Sequence, residues 1–296
     1  MKAIKDILTV VNPISGNSTK EDIITKIIEY CNTDNYSLTI YETTGKDDIA
    51  SIQDLIKENE IDRILVVGGD GTIKMVAEAV EGFNVSVGII PAGSANGLAV
   101  NFNIPPTLEK QLNIALGDNT LNADKLLVND HICFHMADLG INAELIKNYE
   151  ASNIRGKLGY VLQTIPTLFT SEYPFNFTLK IDAKTIETKG IMLAIANANK
   201  FGTGATINPN GKINDGKFEV VVFKELNIAE IINTIYDKAN VQSDFAEEYA
   251  TTLAIIEMQE SVPLQIDGEF IENTTKVEVK LCEEKLTVAV PKSFIS

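Results

Sequence analysis

Strand-like and helix-like segments alternate over the first 120 residues of this 296-residue chain, and this order restricts the fold more than any other feature. The strand-like runs are rich in Ile, Leu and Val, whereas the helix-like segments repeat apolar residues at helical spacing. Strands are predicted at residues 7–11, 37–41, 63–67 and 85–90, and helices at residues 20–30, 48–57, 73–80 and 95–100. This alternation predicts a doubly wound parallel sheet with helices on both faces.

The second half of the chain has a different pattern. Short strand-like runs dominate there, and Asn-Asp, Asn-Gly and Asp-Gly pairs, which favour tight turns, separate them. Two helical segments, at residues 159–169 and 227–238, interrupt the strands. We predict an N-terminal α/β domain over residues 1–122 and a C-terminal antiparallel β-sandwich domain over residues 123–290, with residues 291–296 returning to the first domain.

Charge and cysteine content exclude several classes of protein. The net charge is −16, whereas broad nucleic-acid binding needs a positive surface, so nucleic acid is not an expected partner. The three cysteines are scattered, which argues against a disulfide framework and favours a cytoplasmic protein. No apolar run approaches the roughly 20 residues of a membrane-spanning helix. A polyanionic ligand would be held by local amides, a metal ion and a few cations, because the overall field repels it.

A glycine-rich turn, Gly68-Gly69-Asp70-Gly71-Thr72, lies between a predicted buried strand and a predicted helix. Glycines permit positive φ and close backbone approach, so several N–H groups can converge on an anion at the helix N-terminus. A tight turn without a ligand is the alternative. The sequence lacks the P-loop motif, the dinucleotide Gly-x-Gly-x-x-Gly fingerprint after the first strand, and the His-Arg-Asp and Asp-Phe-Gly motifs of protein kinases.

Three more loops follow predicted parallel strands and carry small, hydrogen-bonding residues. They lie at residues 12–16, 43–45 and 91–96. Because the carboxyl ends of parallel strands meet at one edge of the sheet, these loops and the glycine-rich turn are expected to form one phosphate and nucleoside site.

Several short motifs occur in an order that resembles the catalytic domain of the diacylglycerol kinase and sphingosine kinase superfamily. They are Asn12-Pro13-x-Ser15-Gly16, Gly68–Thr72, Pro91-x-Gly93-Ser94-x-Asn96, Leu139–Ala143, Asn208-Pro209 with Asn214–Phe218, and Asp267-Gly268-Glu269. The matches span nearly the whole chain, and the domain plan is similar to that of the bacterial soluble members. The resemblance implies an ATP- and Mg²⁺-dependent lipid kinase whose first domain is NAD-kinase/diacylglycerol-kinase-like.

The resemblance also implies which residues bind nucleotide and carry out the reaction. Glu269 corresponds to the general base that receives the proton of the lipid hydroxyl, and Asp70 to the nucleotide-loop aspartate that acts through Mg²⁺. The expected nucleotide-binding residues are Asn12, Pro13, Ser15, Gly16, Thr43, Gly68, Gly69, Asp70, Gly71, Thr72, Gly93, Ser94 and Asn96.

A second Mg²⁺ site is implied in the C-terminal half. Asp215, with the backbone carbonyls of Lys212 and Lys217, corresponds to the ligands of this ion, and Asp124 belongs to its surroundings. A carboxylate with carbonyls suits Mg²⁺, which prefers oxygen ligands. A surface Asp-Gly turn is the alternative for Asp215.

The sequence leaves the lipid and two other functions open. Asn96-Gly97-Leu98-Ala99 is closer to the motif of sphingoid-base and ceramide kinases than to the diacylglycerol type, and Asn142 stands where many members carry aspartate. NAD kinase shares the Gly-Gly-Asp-Gly-Thr turn, but its Asn-x-Gly-x-Leu-Gly-Phe segment is absent. A nucleotide- or lipid-binding regulator without activity is the other alternative, although Asp70, Asp215 and Glu269 are all present.

The expected partner is a lipid at a membrane surface. An apolar segment at residues 159–169 follows Arg155 and Lys157, which is typical of a helix that dips into a membrane interface or covers a lipid pocket. A helix packed in the core of the second domain is the alternative. Membrane contact is expected to be transient and peripheral, and a homodimer is compatible with this interpretation.

Overall fold

The computed structural model describes residues 4–16, 19–94, 96–151, 173–182, 184–198, 200–201, 205–206, 208, 211–224 and 246–295. The helices predicted at residues 159–169 and 227–238 lie outside the described residues. The chain divides into two compact units, one formed by Met1–Ala123 with Glu284–Ser296 and the other by Asp124–Glu283.

The strands in the described residues are β1 Asp6–Val11, β2 Ser37–Glu42, β3 Arg63–Gly68, β4 Ser86–Pro91, β5 Thr120–Ala123, β6 Leu126–Val128, β7 His131–Cys133, β8 Met136–Gly140, β9 Phe175–Ile181, β10 Lys184–Gly190, β11 Met192–Ala196, β12 Lys200–Phe201, β13 Ala205–Thr206, β14 Phe218–Phe223, β15 Ala246–Thr251, β16 Leu253–Ile266, β17 Glu269–Leu281 and β18 Leu286–Ala289. The helices are α1 Glu21–Thr33, α2 Asp48–Asn59, α3 Asp70–Ala79, α4 Gly97–Asn101, α5 Leu108–Ala115, α6 Ile141–Ala151 and α7 Lys292–Ile295. Among the described helices, none has both the length and the apolar character needed to cross a membrane.

The first unit is built on a six-stranded sheet in the order β2-β1-β3-β4-β18-β5. All neighbouring strands are parallel except β5, which runs antiparallel to β18. Helices α1 and α5 pack on one face, against Ile7, Leu65 and Ile90, and α2 and α3 pack on the other. Because both faces are covered, the whole of β3 is buried, which explains its continuous apolar run.

Strand β18 differs from the sequence-based assignment. The prediction places the strand at residues 285–290 in the second domain, whereas β18 lies between β4 and β5 in the sheet of the first unit. Its buried residue Val288 pairs with Val87. After β18, the N–H of Val290 donates to the Asn119 carbonyl, and the rings of Phe294 and Phe102 are 5.9 Å apart. An apolar alternation predicts a strand but not which sheet it joins, because both sheets offer it a partner.

The second unit is an antiparallel sheet in the order β15-β14-β11-β8-β16-β17-β6-β7, with β9 and β10 attached through β16. The long β16 pairs with β9 through residues 254–258 and with β8 through residues 264–266. The inward-facing side chains of these strands form one apolar core that includes Leu139, Leu179 and Leu264. The predicted antiparallel architecture of this half is confirmed, and β8 leads into α6.

Candidate functional site

The predicted phosphate-binding loops follow adjacent strands of the first unit. The β1 loop (residues 12–16), the β3 loop (residues 68–72) and the β4 loop (residues 92–96) follow the strands after which they are named. The strand order reverses direction between β1 and β3, because β2 lies on one side of β1 and β3 on the other. Ligands of open α/β sheets bind at the carboxyl ends of strands beside such a switch point. The β1 and β3 loops flank this place.

These three loops are in close backbone contact. A Cβ atom added at Gly93 would lie 2.4 Å from the Cα of Gly69, and one added at Gly16 would lie 2.5 Å from the Ala92 carbonyl oxygen. Glycine is therefore required at positions 16 and 93, since a Cβ atom at either one would push the two contacting backbone segments apart. The Nδ2 of Asn12 donates to Oγ1 of Thr72, at 3.1 Å, which joins the β1 loop to the first turn of α3. We call this contact group of β1, β3 and β4 loops the three-loop cluster.

A buried lysine that the sequence analysis did not select joins two of these loops. Lys20 is 5% exposed, and its Nζ donates to the carbonyl of Ser15 at 2.6 Å and to that of Ala92 at 3.3 Å. The Ser15 hydroxyl also lies 3.2 Å from the Ala92 carbonyl. These donors satisfy the carbonyl oxygens of Ser15 and Ala92 within the cluster. A single lysine just before a helix carries no signal in a sequence, because most such lysines are solvated.

Asp70 has a structural contact that its expected metal role does not include. Its two carboxylate oxygens accept hydrogen bonds from the N–H groups of Gly97 and Leu98, at 2.8 and 2.9 Å. The aspartate at the start of α3 thus fixes the start of α4, which follows the β4 loop. Asn96, at a φ of 55°, closes that loop through Gly93, whose N–H donates to Asn96 Oδ1 at 2.8 Å.

The β2 loop, at residues 43–45, uses its backbone N–H groups within the first unit. The Thr43 N–H donates to the Val11 carbonyl, and those of Thr44 and Gly45 donate to the carboxylate of Asp48. Burial acts to raise the pKa of Asp48, but these hydrogen bonds and one from the Tyr41 hydroxyl outweigh it and hold the pKa below its usual value. Since these N–H groups are already hydrogen-bonded, the side chain of Thr43 is the group of this residue that remains for contact with a ligand.

The remaining predicted nucleotide residues differ in exposure. Pro13, Gly71 and Ser94 are exposed, and a Cβ atom added at Gly71 would meet nothing within 4 Å. Gly68 is buried, and a Cβ atom there would lie 2.4 Å from Oγ1 of Thr72, so this glycine permits the packing of α3 against its own strand.

The predicted base, Glu269, directly follows a tight turn in the second unit. Ile266 pairs with Glu269, and the two residues between them, Asp267 and Gly268, have φ of 51° and 89°. Two positive φ values and an Asp-Gly sequence are typical of a type I′ hairpin turn. Glu269 is exposed at the start of β17.

The carboxylate of Asp267 anchors this turn. It accepts backbone hydrogen bonds from Phe134 at 3.0 Å, His135 at 2.8 Å and Met136 at 3.3 Å. The Asp267 N–H in turn donates to the Met136 carbonyl. The aspartate of the Asp-Gly-Glu motif therefore has a structural function, which is to attach the turn to the segment between β7 and β8.

Asp138, in the middle of β8, is a buried acid that the sequence analysis did not select. Burial raises its pKa to about 7, while hydrogen bonds from Asn142, Gln265 and the backbone of Ala143 act in the opposite direction. Asn142 is thus the partner of an aspartate four residues earlier. An aspartate inside an apolar strand was the available signal, but it does not reveal the partners.

The predicted metal loop is held by Asp124. Its Oδ2 accepts the Gly216 N–H at 2.8 Å, and its N–H donates to the Ile213 carbonyl at 2.7 Å. Asp215 is exposed, and its charge contributes to the raised pKa of Glu219, for which burial is the main cause. The Asp215 carboxylate accepts a hydrogen bond from the Lys217 N–H at 3.1 Å. A carboxylate and backbone carbonyls are the kind of oxygen ligands that a hard cation such as Mg²⁺ prefers. Among the described residues, no group of three or more His, Cys, Asp or Glu side chains is arranged as a metal site.

Comparison with protein families gives two matches. Residues 6–128 match the diacylglycerol kinase catalytic domain, and residues 136–290 match the YegS C-terminal NAD kinase beta sandwich-like domain. A protein of Staphylococcus carnosus named as a lipid kinase is 28% identical over 265 residues, which cover 86% of this chain and 85% of that protein. An Escherichia coli protein named as the lipid kinase YegS is 26% identical, with 86% and 87% covered.

Solved structures agree with the predicted fold. A Bacillus anthracis protein solved as a diacylglycerol kinase has a TM-score of 0.80 at 21% identity, with 99% of each chain covered. An NAD kinase from Archaeoglobus fulgidus, solved in complex with ATP, has a TM-score of 0.55 at 12% identity, with 97% and 95% covered. The predicted fold class, an α/β domain of this kind followed by an antiparallel β domain, is confirmed.

Proposed function

We propose that this chain, which belongs to the family of lipid kinases that join a diacylglycerol kinase catalytic domain to a YegS C-terminal domain, transfers the γ-phosphate of ATP to the hydroxyl group of a lipid in a Mg²⁺-dependent reaction. Diacylglycerols, sphingoid bases and related lipids are the acceptor classes. Membership of this family identifies the enzyme as a kinase. The identities of the nucleotide, the metal ion and the acceptor are the part that we propose.

The three-loop cluster is the observation that carries this proposal. It lies at the carboxyl ends of β1, β3 and β4, beside the switch point of the sheet and at the N-terminus of α3. Backbone N–H groups and the helix dipole at such a place favour a phosphate. Lys20 adds a positive charge under the loops while it binds their carbonyls. In a chain of net charge −16, a local arrangement of this kind is what could hold ATP.

Glu269 would act as the general base. In the transfer, the lipid oxygen forms a bond to the γ-phosphorus, the bond from that phosphorus to the bridging oxygen of ADP breaks, and the hydroxyl proton passes to the Glu269 carboxylate. Phosphoryl transfer depends mainly on positioning and charge neutralisation, so a fixed carboxylate at the hydroxyl is the chemistry this residue can add. The type I′ turn before Glu269, which the Asp267 carboxylate attaches to the segment between β7 and β8, is consistent with that role.

Mg²⁺ would be held in the second unit by Asp215 and the carbonyls of Lys212 and Lys217, on the loop that Asp124 orders. When bound, the ion would neutralise negative charge in this strongly acidic chain. The hydrogen bond from Gly216 to Asp124 gives the loop its shape without the ion, so Asp124 is a positioning residue in this proposal.

We also propose where the enzyme works. Its acceptor is a membrane lipid, whereas the chain has a net charge of −16, so contact with the membrane would be transient, peripheral and driven by apolar insertion rather than by attraction to anionic lipids. A cytoplasmic location supplies ATP and Mg²⁺.

The proposal is tested with purified protein, labelled ATP and Mg²⁺, and mixed micelles that each contain a diacylglycerol, a monoacylglycerol, a sphingoid base, a ceramide or phosphatidylglycerol. We expect label in one extractable lipid. NAD is included as a soluble acceptor because the NAD kinase fold is related. Label in NAD alone would replace the proposal by NAD kinase activity, and label in no acceptor would favour a binding protein.

The Glu269→Ala variant tests the base. We expect kcat to fall by about 10²–10⁴-fold, the contribution of a positioned general base, with the KM for ATP little changed. Glu272→Ala is the matched control, since Glu272 is exposed on the same strand three residues later. Equal kcat in Glu269→Ala and the parent enzyme would rule out this role for Glu269.

A further inference from the structure

The second unit contains a buried carboxyl group that the proposed reaction does not use. Asp138 is the middle residue of β8, all five residues of which are buried, and it is 0% exposed. Its neighbours on the flanking strands are Ala194 of β11 and Gln265 of β16. An aspartate in the core of a sheet is costly unless hydrogen bonds compensate it. The hydrogen-bond partners of Asp138 therefore indicate the function of this buried carboxyl group.

Two side-chain amides bind this carboxyl group. Oδ2 of Asp138 accepts a hydrogen bond from Nε2 of Gln265 at 2.5 Å and one from Nδ2 of Asn142 at 2.6 Å. Oε1 of Gln265 accepts a hydrogen bond from the backbone N–H of Gly268, at 2.8 Å. The N–H of Gly268 can only donate, so it fixes which end of the Gln265 amide faces the turn. Gly268, Gln265 and Asp138 thus form a chain of hydrogen bonds that ends at the carboxylate.

This hydrogen-bonded chain holds the turn before Glu269 from a second direction. The Asp267 carboxylate attaches the turn to the segment between β7 and β8, and Gln265 attaches Gly268 to the middle of β8. Glu269 itself is exposed, so the packing of its side chain contributes little to its position. The place of its carboxylate therefore depends on how rigidly the turn is held.

We propose that Asp138 and Gln265 are positioning residues for phosphoryl transfer, which fix the Asp267-Gly268 turn and thereby the position of Glu269. This inference rests on the proposed role of Glu269 as the base. A misplacement of about 1 Å at a reacting group can cost on the order of 100-fold in rate, so a loosened turn would be visible in kcat.

The negative charge of Asp138 strengthens the hydrogen bond to Gln265. Burial raises the pKa of Asp138 to about 7, so the group changes charge near neutral pH. Among the described residues, Tyr173 interacts electrostatically with Asp138, and its hydroxyl donates to Glu144 of α6 at 2.9 Å. Ala194 and Gln265 on the adjacent strands do not titrate. Both side-chain amides donate to Oδ2 of Asp138, and the buried Oδ1 accepts from neither of them. A proton can therefore bind at Oδ1 while Oδ2 still accepts from Gln265, more weakly.

The test exchanges the hydrogen-bond donor and acceptor, which are the amide of Gln265 and the carboxylate of Asp138. Gln265→Glu places a carboxylate against Asp138 and should lower kcat by about 10- to 100-fold with the KM for ATP unchanged. The double variant Asp138→Asn with Gln265→Glu restores one amide facing one carboxylate, and we expect at least a tenfold recovery of kcat. Gln259→Glu is the control, since it makes the same substitution at an exposed position of β16. Activity is measured in the full chain with labelled ATP and the micellar lipid that the parent enzyme phosphorylates.

Hydrogen exchange of the Gly268 amide gives a readout that does not need activity. It should become faster in Gln265→Glu and recover in the double variant. A kcat that stays at the parent value while Gly268 exchange accelerates would overturn the positioning role, as would unchanged exchange. If the parent enzyme phosphorylates no lipid, the proposed function fails, and Gly268 exchange still decides whether the chain of hydrogen bonds holds the turn.

The pH profile separates this role from general stability. In the parent enzyme, protonation of Asp138 contributes to the fall of kcat below neutral pH. Asp138→Asn removes that contribution, so its kcat should be lower at pH 8 and change less between pH 8 and pH 6 than that of the parent. A profile with the parent's shape would contradict the inference.

Discussion

At the scale of single residues, Asp138 combines a cost to stability with the positioning role proposed above. Its carboxyl group is fully buried on the face of the sheet opposite to the core that includes Leu139, and two amides and the backbone of Ala143 offset only part of the cost of its charge. The folded protein therefore holds a proton there at pH values where the unfolded chain has released it. Asp48 shows the opposite case, because three donors from its own loop and the Tyr41 hydroxyl hold its pKa low.

This difference predicts how stability changes with pH. The pKa of Asp138 rises from 3.8 to about 7 on folding, so its proton stabilises the fold at low pH, and this stabilisation is lost as pH increases through that range. Within it the free energy of unfolding should fall by roughly 1.4 kcal/mol per pH unit from this group. Urea denaturation at pH 5 and pH 8 should show that Asp138→Asn gains stability relative to the parent as pH rises. The exposed Asp130→Asn is the control, and a constant difference between Asp138→Asn and the parent would contradict the buried charge.

At the scale of elements, the start of α1 stabilises the three-loop cluster through Lys20, the residue that directly precedes this helix. Lys20 binds the carbonyl of Ser15 in the β1 loop and that of Ala92 in the β4 loop, so a single ammonium group joins residues that are 77 positions apart. Asp70 connects the start of α3 to the start of α4 in the same way. The loops that we propose bind phosphate are thus ordered by charges on helices rather than by their own sequence alone.

Lys20→Met tests this arrangement. Methionine keeps an unbranched apolar side chain, one atom shorter than that of lysine, and removes the charged donor. Because a hydrogen bond from a charged group contributes about 1.5–3 kcal/mol, we expect the free energy of unfolding to fall by at least about 1.5 kcal/mol. Because the loops would separate, the KM for ATP should rise by about tenfold, as measured with labelled ATP and the accepted lipid. Lys26→Met, at an exposed position of α1, should change neither quantity. The same KM in both variants would show that Lys20 does not order a nucleotide site.

At the scale of the whole molecule, the first unit is not continuous in sequence. Residues 284–296 return to it after the second unit, and β18 lies inside its sheet, between β4 and β5. Without β18, strand β4 would pair only with β3 and become an edge strand, and β5 would have no partner in this sheet. The sheet of the first unit therefore includes a strand that follows the second unit in the sequence.

A fragment experiment follows from this connectivity. Residues 1–123 alone should unfold without a cooperative transition, whereas the same fragment joined to residues 284–296 by a flexible Gly/Ser linker should unfold cooperatively in thermal circular dichroism. Val288→Asp in the joined fragment is the control, because Val288 is fully buried and pairs with Val87. Cooperative unfolding of residues 1–123 alone would show that β18 is dispensable.

The sequence by itself determined the features that depend on local pattern. Apolar alternation and the helical repeat identified the strands and helices of the first unit, because burial of one or both faces imposes a period on the side chains. Motifs whose spacing is fixed by short turns, such as Gly68–Thr72 and Asp267-Gly268-Glu269, were also readable, since the residues concerned are neighbours in the chain.

The tertiary structure alone decided the contacts between distant residues. The membership of β18 in the first sheet, the bridge that Lys20 makes between Ser15 and Ala92, and the hydrogen bond from Gln265 to Asp138 across 127 residues have no local signature. A lysine or glutamine is compatible with solvent at almost any position, and only the folded chain shows which one is buried against a partner. The sequence therefore determined the family and the motif residues, and the fold decided which other residues hold them in place.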